Sequence, residues 1–179
     1  MTVMDDLAVY DLPFTGIEEA VMGWVREALE LRHGTAGDPD GSLLGVLEAE
    51  DAAMALFQLR RVRARADRVD GLLAKVTQAR ARAKRAQENA QFEADQAFDE
   101  AARNNAARRA SFASREERKA DAALDSLEQR RIAHHAARLV SVTSEAYDVV
   151  NQVHWQMDGL RKDLLAVLRA FQFESSLER

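Results

Sequence analysis

Between Leu43 and Phe173 the chain has no proline, and its only glycines are Gly45, Gly71 and Gly159. Ala, Arg, Leu, Gln, Glu and Asp fill most of the rest. These residues lose the least on becoming helical, so the tract has one favourable conformation, the α-helix. That constrains the chain to an all-α fold.

Composition bounds how such helices pack. Hydrophobic residues make up 47 % of the 179, but alanine supplies much of that and aromatics are only 6 %. A small core and a large surface follow, which favour long paired helices over a sphere. Cysteine is absent, which excludes disulfides, thiolate metal sites and a cysteine nucleophile. The N-terminus opens on Asp5 and Asp6 rather than a basic-plus-apolar leader, and no apolar run reaches the roughly 20 residues of a membrane span. A cytoplasmic protein, or one held within an assembled particle, with no membrane partner, is the expectation.

Residues 1–14 form an N-terminal arm, acidic and apolar by turns, with Leu7, Val9, Tyr10, Leu12 and Phe14 available to pack on the protein's own helices or on a partner. Thr15-Gly16-Ile17-Glu18 fits a capping box, with Glu18 reaching back to the cap. Ile17, Ala20, Val21, Trp24, Val25, Ala28 and Leu29 then share one helical face, ending near His33-Gly34. Thr35 to Gly41 reads as a loop, and Asp38-Pro39 or Ser42 as the start of the next helix.

Bulky apolar residues crowd both ends of the long tract, and alanine dominates its middle. Leu139, Ala146, Val150, Val153, Met157, Leu160, Leu164, Val167 and Phe171 make a heptad-like seam. A single helix over 43–173 would run roughly 195 Å, whereas a fold-back buries one seam against the other. Asn104-Asn105 is the expected stop, and Ser111 or Ser114 the expected cap of the return helix, Ser114-Arg115-Glu116-Glu117 being a second capping box. In that register Leu72 and Leu73 face Val142, and Phe92 faces Leu124. The predicted architecture is a three-helix head (residues 15–60 with 140–175) and a long antiparallel coiled-coil helical hairpin, an alanine- and arginine-rich stalk over 61–139 with its tip near 103–114.

The net charge of −5 conceals segregation. Up to Phe57 only Arg26 and Arg32 are basic; from Gln58 to Gln91 ten basic residues meet only Asp67, Asp70 and Glu88. The expected register sets Arg80, Arg82, Lys84 and Arg85 near Arg130, Arg131 and Arg138, a basic contact surface. Arginine forks suit phosphates, so nucleic acid is one partner for it; an acidic protein surface is another. Phe92, Phe98 and Phe112 are the candidate partner-contact aromatics.

Catalytic patterns are missing. There is no glycine-rich phosphate loop, HExxH, GxSxG or acidic calcium loop. His134 and His135 point about 100° apart on a helix, and His154 with Asp158 offers two metal ligands at most. Arg108-Arg109-Ala110-Ser111-Phe112 has the form of a basic-directed kinase site, and reads as a solvated tip. The expectation is a non-enzymatic coiled-coil interaction or assembly protein without cofactor, metal or small-molecule substrate: a structural subunit, adaptor or spacer that binds a protein partner or itself as a homo-oligomer, such as a component of a virion or other large assembly. The alternative is an accessory factor binding nucleic acid through the basic stalk.

Overall fold

A computed structural model describes residues 14–33, 51–108 and 114–177. The described residues are helical, with no strand among them: α1 (Phe14–His33), α2 (Ala52–Arg108), α3 (Arg115–Asp125) and α4 (Leu127–Leu177). None of these helices is long and apolar enough to cross a membrane. The N-terminal arm up to Pro13, the loop over 35–41, the helix start at Leu43, the Ser111 cap and Phe112 lie outside the described residues.

Helix α1 buries Ile17, Val21 and Ala28, a subset of the face expected from its periodicity. It begins at Phe14, so Thr15 falls inside its first turn. The Glu18 carboxylate accepts from Arg138, at 3.1 Å from Nε and 3.3 Å from Nη2.

Helix α2 starts where Asp51 caps it: Oδ1 accepts the backbone N–H of Met54 at 2.7 Å. Its buried residues step by threes and fours through Val69, Leu72, Val76, Ala79, Ala83 and Ala86 to Ala90, then to Ala94. The last step, four after four, shifts the buried stripe by one residue against a strict heptad. The helix runs through Asn104-Asn105, the expected stop. Asn105 is buried and donates from Nδ2 to Asp125 Oδ2 at 3.0 Å, so its side chain is committed to packing and not to a left-handed cap.

Helix α3 opens as the sequence predicts. Ser114 Oγ accepts the N–H of Glu117 at 3.2 Å, and the Glu117 carboxylate accepts the N–H of Ser114 at 2.7 Å, completing the box. Ser126 separates α3 from α4 without breaking the ladder, since its N–H bonds Ala122 and its carbonyl accepts from Arg130, both at 3.1 Å. The buried Ser126 hydroxyl donates back to the Ala122 carbonyl at 2.8 Å, a contact that bends helices. Thr143, also buried, donates to Leu139 in the same way. In α4, Leu139, Ala146, Val150, Val153, Met157 and Leu164 of the predicted seam are buried, and Leu160, Val167 and Phe171 half-buried.

By contact the chain divides into two units: residues 1–19 with 79–144, and residues 20–78 with 145–179. In the first, Ala90 and Ala94 of α2 form a buried cluster with Ala133 and Ala136 of α4, flanked by Ile132. The cluster is built of methyl groups, so each residue buries little area. In the second, the buried side chains are larger: Val21, Val62, Val69, Val76, Val150, Val153, Met157 and Leu164.

Candidate interaction surface

In the first unit the alanine cluster sets which side chains meet. Arg130 lies over the Phe98 ring, 4.9 Å from its centroid, a cation–π contact. Arg131 reaches Glu128 at 3.9 Å, one turn back on its own helix. Arg138 holds Glu18. Arg80 and Arg82 are half-buried and neither lacks an interaction partner, while Lys84 and Arg85 are exposed.

The structure does not bring the two basic groups together in the expected register. Arg130 sits against Phe98 rather than opposite Arg85, and Asn105 meets Asp125. Phe92 and Leu124, expected to face each other, are both turned outward, 62 % and 67 % exposed. The cause is the interchangeability of alanines: Ala83, Ala86, Ala90 and Ala94 present similar surfaces, so register passes to the ends. There α2 continues to Arg108 and the capping box starts α3 at Arg115. Acid also comes from an unforeseen source, since Glu18 of α1 neutralises Arg138.

Beside the alanine cluster lies a cleft of about 350 Å³. Its walls are Gln91, Ala94 and Asp95 on α2 with Arg130, Ala133 and His134 on α4. Gln91 donates to Asp95 at 3.1 Å, so the carboxylate is held by its own helix.

In the second unit, polar contacts tie the helices together. Arg68 on α2 donates to Glu27 on α1 at 2.7 Å, and Arg65 reaches the Leu31 carbonyl at 3.5 Å. His154 Nδ1 of α4 lies 2.6 Å from Asp70 Oδ1 of α2. Asp158 pairs with Arg161 at 2.6 Å and Lys162 at 2.7 Å. Its carboxyl is held below the ordinary range, first by the Lys162 hydrogen bond, then by the charges of Lys162, Arg161 and His154, against the opposing effect of desolvation. Among the described residues no group of three or more His, Asp or Glu could hold a metal ion.

Large apolar side chains stand outside. Trp155 is 61 % exposed, its ring edge-on to that of His154; Phe57, Phe92 and Phe173 are exposed to a similar degree. Of the three candidate aromatics, Phe92 is free of the core, Phe98 is half-covered beneath Arg130, and Phe112 is outside the described residues. Comparison with protein-family models, curated proteins and solved structures gives no match.

Proposed function

We propose that this chain is a non-enzymatic helical assembly protein, in which α2 and α3–α4 pair antiparallel as a coiled-coil hairpin and present apolar side chains to a second copy or a protein partner. The contacts Asp70–His154, Ala94 with Ala133, Phe98–Arg130 and Asn105–Asp125 support the antiparallel reading, because rising numbers on α2 meet falling numbers on α3 and α4. The observation that carries the functional reading is an inversion of size. In the first unit α2 and α4 bury alanines against each other while Phe92, Leu124 and Leu127 face outward. Aromatics are favoured at the centres of interfaces, where they bury the most area per residue. Nucleic-acid binding is the weaker alternative, since Arg130, Arg131 and Arg138 are turned to Phe98, Glu128 and Glu18.

Sedimentation velocity over a range of concentrations, with cross-linking to partners in solution, tests the reading. Association that is lost in Phe92→Ser with Leu124→Ser supports it. A strict monomer that captures no protein, yet shifts duplex DNA at low salt, would refute it in favour of the alternative.

A further inference from the structure

The cleft against Ala94 and Ala133 has a feature that bears on its occupant: the N-terminal end of α1 is fastened beside it. Glu18 grips Arg138 with both carboxylate oxygens. Arg138 is one residue past Ala137, which also lines the cleft. His134 and Arg130 follow at four-residue intervals, so Arg138, His134 and Arg130 share one face of α4. Ile17 is buried, which seats the first turns of α1 on the same unit. Residues 1–13 precede Phe14, where α1 begins, and Phe14 lies about one turn before the Glu18 that holds Arg138.

We propose that the cleft is the docking site of this chain's own N-terminal residues 1–13. Their chemistry suits it. Leu7, Val9 and Leu12 are apolar side chains for the alanine floor, and the intervening Asp11 is a carboxylate for Arg130 and His134. Asp95, the cleft's own acid, is held by Gln91 on the opposite wall, so the basic wall is the one that receives Asp11. Reach is ample. The cleft extends from 130 to 137 on α4, about 10 Å at 1.5 Å per residue, whereas thirteen extended residues cover about 43 Å. The Glu18–Arg138 tether also favours this occupant over a second copy, because a short tether raises the effective concentration of the arm to the order of millimolar. A docked arm would cover the alanine-lined side of α2 and α4 and leave Phe92 and Leu124 for the partner.

His134 reports on the cleft, and its neighbour His135, which does not line it, is an internal control. The full chain is treated with diethyl pyrocarbonate, and modification of each histidine is followed by peptide mass spectrometry. Leu7→Ser, Val9→Ser and Leu12→Ser are combined in a second full-length protein. The docked arm predicts that His134 reacts at least about fivefold faster in the triple variant, as expected when a mostly closed site becomes open, with His135 and His154 unchanged. Their constancy shows that the fold is intact. Equal His134 rates in the two proteins overturn the proposal. Protection that grows with protein concentration also overturns it, since the occupant is then a second copy.

Discussion

Replacing Ala136 with leucine tests whether close approach of α2 and α4 governs the first unit. Ala136 is fully buried and clusters with Ala90, Ala94 and Ala133. Leucine adds a branched side chain to a site walled by methyl groups on facing backbones, so the helices must separate or the side chain must leave its rotamer. Overpacking of this kind costs about 1–3 kcal/mol. For a chain of 179 residues, that lowers the melting temperature by roughly 2–12 °C, at about 2–4 °C per kcal/mol. Ala81→Leu, on the exposed side of the same α2, is the control and should stay within about 0.5 kcal/mol. Thermal unfolding followed by circular dichroism at 222 nm, roughly the helix minimum, reads both. If Ala136→Leu is neutral or stabilising, the helices do not meet through alanine there, and the packing account of the first unit is wrong.

Further expectations concern single sites. Gly71 lies mid-helix in α2, and a Cβ there meets nothing within 4 Å, so Gly71→Ala should stabilise by about 0.5–1 kcal/mol in chemical denaturation. Ser114→Ala removes the acceptor for the Glu117 N–H and should cost about 0.5–2 kcal/mol, with amide exchange rising first in α3. Asp158 has a lowered folded pKa, so its contribution is full above the unfolded carboxyl value and is lost as pH falls through the lower folded one. Asp158→Asn should therefore reduce stability at neutral pH and flatten the acid limb of the stability profile. A limb of unchanged slope would contradict the Lys162 and Arg161 pairing.

Helical content was legible because it depends on local properties. The α1 face from Ile17 to Ala28, the Ser114–Glu117 box and the Leu139–Leu164 seam all follow from residue spacing and cap chemistry. Register was not legible, because it depends on differences between positions, and alanines at 83, 86, 90 and 94 differ little. Glu18 could not be assigned to Arg138, since 120 residues separate them and either a capping or a cross-helix role satisfies its carboxylate. The break between α3 and α4 at Ser126 left a readable signal: a serine in line with the buried Ala122, four residues away, is placed to bond back to its carbonyl. The exposure of Trp155 is readable too, since it lies between the seam positions Val153 and Met157 and so points away from them.

The inferred antiparallel pairing underlies both the proposed association and the docking of the arm, and one distance tests it directly. The chain has no native cysteine, so spin labels at Ala74→Cys and Gln152→Cys report only on those positions, both exposed and close to the Asp70–His154 contact. Antiparallel pairing within one chain predicts a separation of about 10–25 Å, the width of two packed helices plus labels, unchanged when labelled protein is diluted with unlabelled. A separation beyond about 100 Å, as 1.5 Å per residue would give along one uninterrupted helix, or a short distance that vanishes on dilution, would contradict it.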